Sequence, residues 1–251
     1  MNYTKKTGVT GSHLKWIAII TMFIDHTGAA LLELGLLPRI ANAVLAGNSY
    51  DYVVADYHFW YNFDEVLRAI GRLAFPIFCF LLVEGFLHTK NGKKYAVRLA
   101  LFALLSEIPF DLTFNGNLLE FTYQNVFFTL LIGLLMLIGL KYFEETLPPQ
   151  ISWLRFIVAL TAILLAVFLR TDYDAFGIML IFLLYEFRRL PKLRCIAGAI
   201  LMLFNSTTGC LAFLLIWFYN GERGKQLPKY FFYAFYPVHL LLLFLARIIL
   251  L

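Results

Sequence analysis

The chain has 251 residues, 61% hydrophobic and 15% charged, with a net charge of +5 and a mean hydropathy of +0.75. A soluble domain is nearer half apolar and a quarter charged. The composition therefore excludes a soluble body of any size and predicts an all-α, polytopic membrane bundle, one transmembrane domain over 1–251. The basic residues fall in short clusters between apolar runs, not on one patch, which excludes nucleic acid as a partner.

The N-terminal MNYTKKTGVTGSH is polar and basic, and the apolar run after it reads as a retained first span, not a cleaved signal. Hydropathy predicts about nine helical spans, at roughly 14–36, 65–88, 95–113, 121–141, 152–170, 174–188, 193–206, 208–220 and 230–251. The seventh and eighth are short, and 193–220 reads equally as a re-entrant hairpin around Asn205–Gly209. Between the first two spans, 38–64 reads as one long loop with Asp51, Asp56, Asp64, Tyr50, Tyr52, Tyr57 and Trp60. It is either a lid or an interfacial aromatic belt.

Lys and Arg placement sets the orientation. With the N-terminus in the cytoplasm, sixteen of the 21 basic residues fall inside, at Lys5, Lys6 and Lys15, at Lys90–Arg98, at Lys141 and Arg155, at Arg188–Arg194 and at Arg223–Lys229. The C-terminus and loop 38–64 are then external. Cys79, Cys195 and Cys210 are odd in number and follow no spacing pattern, so neither a disulfide framework nor a metal site is expected.

Ionisable residues inside the spans carry the functional signal, since each costs roughly 2.5–3.5 kcal/mol at mid-bilayer even on the lenient insertion scale. Asp25 and His26 lie side by side about ten residues into the first span, and Arg72 sits at similar depth in the second. Neighbouring helix positions point about 100° apart, so one of Asp25 and His26 is expected to face a cavity and the other a helix. His26 is the candidate base, because an imidazole titrates near neutral pH. Asp25 would orient it or balance Arg72, and a packing-only Asp–Arg pair is the plain alternative. Glu107 and Asp111 flank Pro109, which predicts a kink; Gln124 and Asn125 open the next span on the same side. Tyr236 and His239 bracket Pro237 in the last span, where His239 is either a second catalytic group or structural. These residues gather in one layer from the midplane outward. On the opposite side Lys90, Lys93, Lys94 and Arg98 form a cluster suited to phosphates, to anionic lipid, or to topology alone.

Several strings together resemble the TraX family of membrane proteins: LKWIAIITMFIDHTGA (14–29), GRLAFPIFCFLLVEGFLHTKN (71–91), YAVRLALFALLSEIPFDL (95–112), QNVFFTLLIGLL (124–135), TDYDAFGIMLIFLLY (171–185) and FYAFYPVHLLLL (232–243). That family is linked to N-terminal acetylation of pilin in conjugation, and it is similar to the wider transmembrane acyltransferases. The resemblance implies a multi-pass protein of a bacterial plasma or inner membrane. It also implies acetyl-CoA as acyl donor, an external peptide or sugar acceptor, and an essential histidine on an early span, a role that falls on His26. Two other readings stay open: a transporter or flippase using the same polar layer, and a non-catalytic assembly factor for an exported surface polymer.

Overall fold

Thr10 starts the first helix with a reciprocal cap: its hydroxyl accepts from the His13 amide while the His13 ring accepts from the Thr10 amide, both at 3.3 Å. The computed structural model describes residues 7–45, 51–146, 148–225, 228 and 230–251. Helix α1 (Gly11–Thr27) runs without interruption through a π-helix (Gly28–Leu36) into α2 (Leu37–Leu45). A second rod is made of α3 (Asp51–Gly71) and α4 (Ala74–Leu87), joined by a turn at Arg72–Leu73. Then follow α5 (Gly92–Phe114), α6 (Val126–Thr146), α7 (Leu154–Phe168), α8 (Asp174–Glu186), α9 (Pro191–Leu203), α10 (Ala212–Trp217) and α11 (Phe231–Leu250).

Four of these segments are long and apolar enough to cross a membrane: Gly11–Leu45, Val53–Leu87, Val126–Thr146 and Phe231–Leu250. Helix α5 has the length, at 23 residues, but carries Lys93, Lys94, Arg98, Glu107 and Asp111. Helices α8 and α9, at 13 residues each, reach only about 20 Å at 1.5 Å per residue. Where hydropathy predicts nine spans, four helical segments among the described residues meet the length and composition of a span, with shorter helices packed among them.

The segment 38–64 is not the long loop that its polarity predicts. Leu37–Leu45 and Asp51–Gly71 are helical, and Tyr50 lies outside the described residues, as do Lys5, Lys6 and Lys229. The two 35-residue rods run about 50 Å at helical rise, well beyond a hydrocarbon core of roughly 30 Å.

One buried cluster joins the helices, with Leu14, Ile77, Phe80, Leu134, Leu137, Ile181 and Leu240 fully enclosed. The outward faces are apolar too: Leu101, Leu104 and Leu105 on α5, Leu160 and Leu164 on α7, and Ile248 and Ile249 on α11 are exposed. A helix that is apolar on both faces has hydrocarbon as its solvent. The basic clusters meet at one end of the bundle. There Arg188 and Arg155 both reach Glu144, at 2.8 and 3.7 Å, and Arg194 pairs with Glu84 at 3.0 Å.

Helices α9 and α10 touch through Gly198, where an added Cβ would lie 2.3 Å from the Phe213 ring. Gly198→Ala is expected to cost about 1–3 kcal/mol, read as a fall in thermal midpoint of about 2–4 °C per kcal/mol in detergent. Gly139→Ala, whose Cβ would meet only Val158 at 3.2 Å, should shift it far less. Equal shifts would show that close packing at Gly198 is not needed.

Candidate active site

A histidine pair lies at the heart of the bundle. His26, at the end of α1, places Nδ1 2.6 Å from Nε2 of His239 on α11, with the two rings coplanar within 2°. The other ring nitrogen of His239, Nδ1, lies 2.7 Å from the carbonyl oxygen of Phe235, one turn earlier on the same helix. A carbonyl can only accept. His239 Nδ1 therefore carries the proton and donates to Phe235. In the neutral pair Nε2 of His239 then accepts, His26 Nδ1 donates, and His26 Nε2 keeps its lone pair. This tautomer is assigned from the hydrogen-bond network. Phe114 and Tyr236 stand edge-on to the His26 ring at 5.6 and 5.8 Å.

Asp25 turns away from the imidazole. Its Oδ2 accepts from Arg68 at 2.7 Å, and Arg68 also approaches Glu33 of the π-helix at 3.7 Å. Gly71 makes room for this: a Cβ there would fall 2.1 Å from Asp25. Arg72 is not the partner of Asp25. It lies against Tyr173, with Asp25 and Asp172 nearby. Sequence reasoning passed over Arg68, although Asp64, Arg68 and Arg72 recur at four-residue spacing and so share one face.

Two connections close the site. Gln124 donates its amide to Arg170 and accepts from the Asp172 amide at 3.1 and 2.9 Å, which ties the entry of α6 to the α7–α8 turn. Tyr123 donates to Asp172 at 2.8 Å, and Thr129 donates to the Asp172 carbonyl. Tyr173 adopts a left-handed backbone (φ 62°), which costs a non-glycine residue of order 1 kcal/mol. That conformation lays its ring flat on Phe75, centroids 3.6 Å apart.

These groups enclose a cavity of about 390 Å³ whose lining includes Asp25, His26, Arg68, Arg72, Tyr173 and Tyr236. Both Asp25 and His26 reach it; the π-helix starts two residues after His26, and such segments often mark functional sites. Residues 10–247 match the family described as TraX protein. The chain belongs to the TraX family. A relative from Dichelobacter nodosus, described as "Probable fimbrial assembly protein FimC, serogroup H1", is 30% identical over 265 aligned positions, covering 94% of this chain and 95% of the relative. No solved structure matches.

Not every predicted residue of this TraX protein comes to the cavity. Glu107, Asp111, Gln124 and Asn125 do not line it; the hydrogen bonds of Asn125 and Asp111 go instead to neighbouring backbone and side chains. Asn125 donates to Glu107 and to the Ala103 carbonyl at 2.9 Å, and accepts from the Phe127 amide at 3.0 Å, capping α6. Asp111 accepts from Asn115 and from the Glu120 amide, pinning the connection after α5. His239 does not line the cavity either; it stands behind His26, hydrogen-bonded to it. Among the described residues no three His, Cys, Asp or Glu side chains converge as metal ligands.

Two further cavities flank the first. One of about 530 Å³, at the basic end, is lined by Lys15, Glu84, Lys90, Arg98, Arg223 and Tyr233 among others. Lys93 and Lys94 are exposed on the first turn of α5 and do not line it, whereas Tyr95, Arg98 and Leu99 do. On the far side lies a cavity of about 710 Å³, which shares Arg68 and Arg72 with the central one and adds Glu33, Asp64, Tyr57 and Tyr61.

Burial lifts the Asp172 carboxyl in the α7–α8 turn to about 6, against the pull of the Tyr123 hydroxyl and Arg72. The free value is near 3.9, so the folded chain holds this proton more tightly. That contribution to stability is present at about pH 4 and is lost as the pH rises through 6. Asp172→Asn, which never ionises, should gain in thermal midpoint over the parent between pH 4 and pH 7.5. A difference that does not change with pH would remove the assignment.

Proposed function

We propose that this TraX-family protein is a multi-pass acyltransferase of the bacterial cell membrane, moving an acetyl or similar group from acyl-CoA to an acceptor at the opposite face. One observation carries the reading: a half-buried imidazole on a cavity wall, its Nδ1 proton committed to a second histidine and its Nε2 lone pair available.

In the proposed reaction His26 Nε2 takes the proton from an acceptor amine or hydroxyl as that atom attacks the thioester carbonyl. The new C–N or C–O bond forms and the C–S bond breaks. The thiolate leaves as coenzyme A and recovers the proton from the His26 imidazolium. His239 holds the base in its productive tautomer, since its Nε2 accepts the His26 Nδ1 proton. Arg72, whose hydrogen-bond partner is Tyr173, is the cation on the cavity wall for the oxyanion. Asp25 is bound to Arg68, so its part is to fix the α1–α3 contact. The Lys90 and Arg98 cavity would take the donor's phosphates, with those residues in the cytoplasm. The acceptor would enter past Arg68 and Arg72 from the acidic side. A relative named for fimbrial assembly fits an acceptor that is a surface-fibre subunit, and the same name fits a non-catalytic assembly role.

Purified protein with acetyl-CoA and a pilin-type peptide or an amino sugar separates these readings. Acyl transfer should occur and should fall about 10²–10⁴-fold in His26→Ala, the usual value of a positioned base. His239→Ala should lower kcat with a smaller effect on KM for the donor, because donor binding is remote from it. Undiminished transfer in His26→Ala ends the base assignment. No thioester consumption by the parent, with assembly of surface fibres retained in His26→Ala cells, favours the non-catalytic role.

A further inference from the structure

Among the described residues, Phe78 alone lines both the cavity of the histidine pair and the cavity at the basic end. The two spaces stack along the same helices. On α4, Ala74 and Phe75 face the first cavity while Leu81 and Leu82 face the second, with Phe78 between them. On α11, Tyr236 lines the first and Tyr233 the second; at the start of α6, Val126 lines the first and Phe127 the second. Opposite α4 the boundary is filled by rings packed on each other, Phe127 lying 5.0 Å from Tyr236 and 6.4 Å from Tyr233. Phe78 itself is only partly buried, whereas Ile77, Cys79 and Phe80 beside it are fully enclosed. One helical turn separates Phe75 from Phe78, about 4.5 Å of rise, so the wall is about one ring thick.

We propose that the Phe78 ring is the constriction through which the donor's acyl arm passes from the basic cavity to His26, and that its size limits the acyl group admitted. This rests on the acyl-transfer reading for its ligand but not for its geometry. A phenyl ring turns about two side-chain torsions on a fixed backbone. It can open a narrow passage without moving α4, and closed it keeps water from the basic side away from the thioester carbonyl. Neither cavity is lined by Cys79, Cys195 or Cys210, so a thiol placed in the inner cavity is a clean reporter.

The test uses full-length protein in oriented proteoliposomes, with the three native cysteines replaced and Val126→Cys as reporter. A charged methanethiosulfonate is added from the basic face, with an impermeant thiol quenching the other side. Labelling should be slow with Phe78, at least about tenfold faster in Phe78→Ala, and no faster in Phe78→Trp. Labelling from the opposite face should be equal in all three and reports an intact fold; if Phe78→Ala fails that control, Phe78→Leu carries the test. An unchanged rate from the basic face in the small-residue variant overturns the constriction. On the activity side, the rate with butyryl-CoA relative to acetyl-CoA should rise in Phe78→Ala and fall in Phe78→Trp; an unchanged ratio overturns the acyl-size limit. If labelling follows the expected order but no variant consumes acyl-CoA, the constriction stands and the transferase reading falls.

Discussion

The hydrogen bond between His26 and His239 joins residues 213 apart in the chain, and much of the architecture serves it. It requires α11 to lie along the end of α1 with both rings in one plane. Aromatic packing sets that alignment from the basic end upward: Trp16 meets Phe231 and Phe232, and Phe23 meets Phe235 and His239. The Phe235 carbonyl then gives the pair its direction. Without it, either nitrogen of either ring could hold the proton. With it, His239 donates to Phe235 and accepts from His26, His26 donates to His239, and the free lone pair falls on His26 Nε2. Helix geometry on α11 thus decides the chemistry of a residue on α1.

The second constraint is charge. Asp25 neighbours the imidazole, yet its carboxylate is taken up by Arg68, with Glu33 on the other side of that guanidinium. A carboxylate bound to His26 would hold it as an imidazolium, which cannot accept a proton. With Asp25 bound to Arg68, its carboxylate is not on the imidazole. Arg72, one turn beyond Arg68, is turned to Tyr173 on the cavity wall, with Asp25 and Asp172 nearby. The close approach at Gly71 is what lets one helix face separate the two arginines in this way.

The sequence pointed to His26, Asp25 and Arg72 because ionisable groups stand out in apolar runs. It also showed the aromatic-rich α11 with Pro237 inside it. What it could not supply was pairing. His26 meets His239, and Asp25 meets Arg68, across helix contacts that no local pattern encodes; Arg68 and Arg72 carry equal signals four residues apart. Depth alone suggested Glu107, Asp111 and Asn125 for the cavity, but Asn125 caps α6 and bonds Glu107, and Asp111 pins the loop after α5, pairings set by the turn between α5 and α6. The segment 38–64 looked like a loop because its face toward the bundle is charged. Asp64 and Arg68 point inward, while Phe59, Phe63 and Val66 are exposed, so an amphipathic helix was inverted relative to the usual soluble pattern.

The three cavities also bear on why a transfer site and a transport path differ physically. A path must let one solute see polar walls of compatible charge from end to end. Here the basic cavity sets Lys15, Lys90, Arg98 and Arg223 beside Glu84, while the far cavity sets Glu33, Asp64 and Glu65 beside Arg68 and Arg72, so the two ends differ in charge balance. A single solute favoured by one end is disfavoured by the other. The proposed reaction, with an anionic donor and a separate acceptor, would use that difference, each reactant entering from its own side and meeting at the histidine pair. The wall at Phe78 fits the same logic, since a reactive thioester is protected by being dry until the acceptor is in place.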